Sequence, residues 1–119
     1  MKKAQPKARL RSNSGCIMAG EYKPLSLHGK VALVTGASRG IGAAAAIRLA
    51  QGGAAVVVNY HQNQEAAQKV LGEVDAAGAR GMIFQADVTQ RPQVESMVKA
   101  AKDKLGAIDV LVNNAYFPF

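Results

Sequence analysis

Four short apolar runs, each separated from the next by a stretch of helix length, constrain this chain more than any other feature. They are residues 31–34 (VALV), 55–58 (AVVV), 81–85 (GMIFQ) and 108–112 (IDVLV). Short, β-branched runs bounded by turn-forming residues read as strands. The segments between them follow a different period. Residues 41–51 are alanine-rich, carry Ile47 and Leu49, and close at Gly52-Gly53, a helix and its stop. Asn63 is placed to cap a helix reaching Ala77, in which Ala66, Ala67, Val70, Leu71 and Val74 recur at three-to-four spacing before Gly78. Thr89 is placed to cap a third helix, with Pro92 in its first turn and Val94, Met97, Val98, Ala101 and Leu105 on one face before Gly106. The order β-α-β-α-β-α-β predicts an α/β fold: a parallel sheet joined by right-handed crossovers, its apolar strands covered by helices on both faces.

Composition permits such a core. Leu, Ile, Val and Phe make up 28 of 119 residues, above the roughly one-fifth level below which chains tend to disorder. The length suits one domain. No apolar run approaches the roughly 18 residues that cross a bilayer, so no membrane span is expected. Cys16 is the only cysteine, which excludes a disulfide framework and points to a reducing, cytoplasmic setting. It has no base beside it and reads as inert. His28 and His61 have no cysteine or second histidine nearby, and no metal site is expected.

The net charge of +7 is unevenly placed. Lys2, Lys3, Lys7, Arg9 and Arg11 stand among the first 17 residues without an acid, so the remainder carries only +2. A domain of that charge has no electrostatic footprint for nucleic acid. Residues 1–27, polar and without period, read as a disordered basic extension; organelle targeting and contact with phosphate or a membrane surface are the alternatives. Met18 offers a second start site. Residues 28–119 form the folded part.

The chemistry concentrates in the loop after the first strand, Thr35-Gly36-Ala37-Ser38-Arg39-Gly40-Ile41-Gly42. Glycines joining a strand directly to a helix allow a tight turn, close approach of backbone to a pyrophosphate, and close packing of the helix. The helix N-terminus then offers its amides and its dipole to the phosphates. No Gly-Lys-Ser/Thr follows, which excludes a nucleoside-triphosphate P-loop. An NAD site usually places a carboxylate about 20 residues further on, at the end of the second strand. Here Val58-Asn59-Tyr60-His61 has none. Asn59 would not repel a 2′-phosphate, and Arg39 supplies a guanidinium suited to one. The expected cofactor is therefore NADP(H).

These motifs resemble the short-chain dehydrogenase/reductase family, especially its 3-oxoacyl-[acyl-carrier-protein] reductase-like members, over about residues 29–115. Residues 35–42 fit T-G-x-x-x-G-x-G, Asp87-Val88 fits an acid-plus-apolar pair whose carboxylate meets the adenine amine, and Asn113-Asn114-Ala115 fits N-N-A-G. The resemblance implies a partial Rossmann fold, a doubly wound parallel sheet with strand order 3-2-1-4. It places Gly36, Ser38, Arg39, Gly40, Ile41, Gly42, Asn59, Asp87, Val88, Asn114 and Ala115 at the cofactor. Asp87 has a second reading as a cap of the following helix. Of the paired asparagines, Asn113 is expected to be structural. Tyr116 stands where the motif has its final Gly.

The family's Tyr-x-x-x-Lys, Ser and Asn lie beyond this motif in its members. None of Tyr22, Tyr60 and Tyr116 is followed by Lys four residues on. The expectation is the N-terminal half of a reductase, truncated before the remaining strands and lacking the catalytic set. The longer form would act on a small carbonyl substrate as a homo-oligomer. The alternatives are a non-catalytic nucleotide-binding or partner-pairing fragment, and a poorly folding product.

Overall fold

The computed structural model describes residues 26–116. Most of the basic extension, with Cys16, Met18 and Tyr22, lies outside the described residues, as do residues 117–119. The described elements are β1 (Val31–Val34), α1 (Gly40–Gln51), β2 (Ala55–Tyr60), α2 (Gln64–Ala76), β3 (Gly81–Gln85), α3 (Arg91–Lys104) and β4 (Val110–Val112). The sheet has the order β3-β2-β1-β4, and β1–β2, β1–β4 and β2–β3 all pair in parallel. This is the Rossmann-like order expected from the motifs.

The period-2 alternation of a strand divides the apolar residues between two layers. Ala32, Val34, Val56, Val58 and Tyr60 point to one face, where they pack with Ala46, Ala50, Ala67, Val70 and Val74 of α1 and α2. Val31, Leu33, Ala55 and Val57 point to the other, against Met97 and Ala101 of α3. Every residue of β1 and β2 is buried, and each valine among them contributes about 1.5–3 kcal/mol of transfer free energy.

The boundaries depart from the sequence reading where polar side chains decide them. β2 continues through Asn59 and Tyr60, in register with Phe84 and Gln85, because Asn59 is buried and hydrogen-bonded rather than a polar stop. β4 begins at Val110 instead of Ile108. Before it, Asp109 brackets Val31: its amide donates to the Val31 carbonyl at 2.8 Å and its carboxylate accepts from the Val31 amide at 2.9 Å. Asn63 caps α2 as expected, accepting from the Ala66 amide at 3.0 Å. Thr89 does not cap α3. Gln90 occupies that position, because the Thr89 hydroxyl and amide are both committed to Asp87. Leu27, assigned to the extension, belongs to the fold: its amide donates to the Gly52 carbonyl at 2.8 Å and its side chain packs on the α1/α2 layer.

Candidate functional site: the glycine turn and the carboxyl rim

Because all four strands run the same way, the turns after β1, β2, β3 and β4 collect at one rim of the sheet. Ligands of open α/β sheets bind at that rim, at the point where strand order reverses. The reversal here lies between β1 and β4, and the glycine turn leaves β1 there.

Backbone at this turn is held from both sides by side chains, one buried and one half-buried. Asn59 is 2% exposed. Its Oδ1 accepts from the Gly36 amide at 3.0 Å, and its Nδ2 donates to the carbonyls of Ala86 at 3.2 Å and Phe84 at 3.3 Å. The Ala37 amide adds a bond to the Asn59 carbonyl at 2.8 Å. From the β4 side, Asn114 Nδ2 donates to the carbonyls of Gly36 at 3.1 Å and Thr35 at 3.2 Å. Thr35 Oγ1 accepts the amides of Asn114 and Ala115 at 2.9 and 3.0 Å. One threonine thus ties the end of β4 to the end of β1.

The glycines divide the work. Gly36 and Gly40 have φ of +60° and +62°, a region costly to residues with a Cβ. Gly42 is required by proximity: a Cβ there would lie 2.5 Å from the Gly36 carbonyl oxygen and 2.6 Å from Asn114 Nδ2. The third glycine therefore packs the helix against its own loop and against Asn114. Gly36 is crowded on the same side: a Cβ there would lie 3.1 Å from Ala115 Cα and 3.2 Å from Asn114 Nδ2.

The helix that follows opens without a cap. Arg39, at the N-cap, is extended and makes no side-chain capping bond, and the first turn of α1 holds no acid. The first amides of a helix have no intrahelical acceptor, so this end presents donors and the positive end of the dipole to an anion. Arg39 and Gly40 are exposed and Ser38 is half-buried. Two apolar side chains stand out at the same rim, Ile41 at 81% and Tyr116 at 82% exposed.

The β3 side is built differently. Asp87 Oδ1 accepts from the Thr89 hydroxyl at 2.6 Å and the Thr89 amide at 2.9 Å, while Oδ2 stands 3.7 Å from His61 Nε2. The Thr89 hydroxyl, then its amide, hold the Asp87 carboxyl below the usual aspartate range; slight burial opposes this and the nearby His61 adds a smaller pull. Its neighbour Val88 is half-buried.

The structure brings the residues singled out from the sequence to one rim, with different tasks from some of those expected. Asn59 was expected at the cofactor, yet its carboxamide is turned inward and spent on backbone. Asn114, expected at the cofactor, braces Thr35 and Gly36, whereas Asn113, expected to be structural, is exposed. Asp87 closes a turn onto Thr89 instead of capping α3. The linking role of Thr35 was not read from the sequence, where its place ahead of Gly36 was the only signal. Among the described residues no group of three or more His, Cys, Asp or Glu could hold a metal ion, and no helix is long and apolar enough to cross a membrane.

A parallel sheet of this order, with a glycine turn at its switch point, defines a Rossmann-like α/β unit. The chain belongs to the short-chain dehydrogenase family, whose model matches residues 30–117. It is 53% identical over 89 residues to an uncharacterised oxidoreductase of Methylorubrum extorquens, covering 75% of this chain and 36% of that protein. It is 50% identical over 90 residues to a 3-oxoacyl-[acyl-carrier-protein] reductase of Synechocystis, covering 76% and 36%. Among solved structures, a dehydrogenase/reductase from Sinorhizobium meliloti superposes with a TM-score of 0.74 at 47% identity, over 76% of this chain and 36% of that one. The chain therefore spans little more than a third of the length of these relatives. Members of the family use nicotinamide dinucleotide cofactors.

Proposed function

We propose that this chain is the NADP(H)-binding part of a short-chain oxidoreductase that, in a longer form, moves hydride between NADPH and a carbonyl or alcohol substrate. The observation that carries the proposal is the uncapped, acid-free N-terminus of α1, set by the buried Asn59 and the half-buried Asn114 at the switch point of a parallel sheet. A side-chain cap or an acid in that first turn would have competed with a pyrophosphate. The amides of residues 38–42 would hold the pyrophosphate, Asp87 the adenine amine and Arg39 the 2′-phosphate. The cofactor, when bound, supplies a hydride.

NADP(H) is favoured over NAD(H) because no carboxylate ends β2: Asn59 and Tyr60 are buried and His61 follows. The 50% identity to a 3-oxoacyl-[acyl-carrier-protein] reductase is in keeping with a carbonyl substrate. Neither Tyr22 nor Tyr60 is followed four residues later by Lys, and residues 28–119 are read as the cofactor-binding part, with turnover left to the longer form. Fluorescence titration of the chain with NADPH and NADH at neutral pH tests the proposal. NADPH should bind at least about tenfold more tightly, as a charge-assisted contact to the extra phosphate implies. Equal or tighter binding of NADH contradicts it. Oxidation of NADPH by the chain with any ketone contradicts the non-catalytic part.

A further inference from the structure

Past the last bonds of the β2–β3 ladder, the chain is held by side chains. The Ala86 amide still donates to the Tyr60 carbonyl at 3.0 Å, and Asn59 Nδ2 takes the Phe84 and Ala86 carbonyls. β2 ends at Tyr60, so Asp87, the next residue, has left the sheet. Its amide donates at 2.8 Å to Gln93 Oε1, a side chain in the first turn of α3. Its carbonyl accepts from the Gln90 amide at 2.9 Å, and both Thr89 bonds fall on carboxylate Oδ1. Oδ2 lies 3.7 Å from His61 Nε2, beyond hydrogen-bond reach. It therefore borders the end of β2, where folds of this kind seat the adenosine half of a dinucleotide.

The Gln93 bond is not a helix cap. A glutamine at the third helical position ordinarily reaches back to the amide of the N-cap residue. Here that residue is Gln90, and its amide is already taken by the Asp87 carbonyl. Gln93 passes over it and binds three residues further back. Its side chain is exposed, so it adds little to the core. What it fixes is the peptide plane from which the Asp87 side chain departs.

We propose that Gln93 is a positioning residue for the base end of the cofactor: it holds Asp87 so that Oδ2 meets the adenine amine, and the site thereby selects adenine over a purine without that amine. This rests on the cofactor reading above, in which Asp87 accepts from adenine. A hydrogen bond weakens steeply as its angle is lost, and a small misplacement of a contributing group removes much of its effect. Gln93 touches no cofactor atom in this scheme and acts through Asp87 alone.

The test measures dissociation constants of the full chain for NADPH and for its reduced hypoxanthine analogue, which carries a ring carbonyl in place of the adenine amine. The unmodified chain should bind NADPH about tenfold more tightly than the analogue, as for a hydrogen bond to a charged acceptor. In Gln93→Ala that ratio should fall to about two- to threefold, chiefly through weaker binding of NADPH. In Gln93→Glu, which keeps an acceptor oxygen at the same reach, the ratio should return. A general loosening of the fold would weaken both ligands alike, so an unchanged ratio in Gln93→Ala would overturn the role of Gln93 and leave the cofactor reading standing. Gln93→Met, equal in length but without the oxygen, decides the same point if the alanine variant does not fold. Equal binding of the two nucleotides by the unmodified chain would overturn the placement of Asp87 on adenine, and the proposal with it.

Discussion

The two sides of the crevice are made from opposite materials. On the glycine-turn side, Thr35, Asn59 and Asn114 spend their side chains on backbone groups, and the first amides of α1 face outward beside the exposed Arg39. On the β3 side, Asp87, Thr89 and His61 are arranged around accessible charges. Buried amide side chains with all partners satisfied fix geometry at a high cost for any change; exposed charges adjust affinity at little cost to folding. On the proposed reading, the braced groups determine where an anion can sit, and the exposed charges, Arg39 among them, tune which one is preferred.

Substitutions should separate the two. Gly42→Ala is the severest, since its Cβ would meet the Gly36 carbonyl at 2.5 Å. It should cost about 3 kcal/mol by urea denaturation, in the range of a strongly overpacked core, and abolish measurable NADPH binding. Asn59→Ala leaves the Gly36 amide and the Phe84 and Ala86 carbonyls without their partner. A loss of about 2–3 kcal/mol is expected for unsatisfied buried groups. If Asn59→Ala instead altered the choice of nucleotide at unchanged stability, the division between the two sides would collapse.

Arg39→Ala tests the outward-facing set. It should weaken NADPH binding about fivefold, an exposed charge-assisted contact, leave NADH binding nearly unchanged, and move the urea midpoint by less than about 0.5 kcal/mol equivalent. The smallest effect belongs to Thr89→Ala. Removing the hydroxyl from Asp87 should raise that carboxyl toward the usual aspartate value, read by carboxyl-carbon NMR against pH. The sign follows from linkage: a carboxyl lowered in the folded state stabilises it above the unfolded value, and that contribution is lost as pH falls through the folded value. The unmodified chain should therefore hold this contribution to lower pH than Thr89→Ala does. Coincident titrations in the two proteins would remove Thr89 as the cause.

The sheet was legible because burial on both faces writes continuous apolar runs, and Val31–Val34 and Ala55–Val58 needed nothing else. Its ends were not, because Asn59 within β2 and Asp109 just ahead of β4 set them through side-chain bonds that hydropathy does not register. The glycine turn was legible from its spacing. The roles of the asparagines were not: Asn113 and Asn114 are the same residue type in adjacent positions, and only the direction each takes after β4 decides which one braces Gly36. Thr89 reads as a helix cap by type and position, yet Asp87 two residues earlier offers its hydroxyl and amide a nearer acceptor. Leu111 shows the same limit at the sheet's edge. It is apolar and central in its strand, but 61% exposed, because β4 pairs only with β1 among the described strands and no described helix covers it.

The central claim is that main-chain amides at the start of α1 receive the cofactor's pyrophosphate. Titrating the 15N-labelled chain with NADPH and following each backbone amide by two-dimensional NMR tests it directly. The amide signals of Ser38, Arg39, Gly40, Ile41 and Gly42 should move downfield together and saturate with one dissociation constant. Saturable binding that leaves those five signals in place and moves others would contradict the claim.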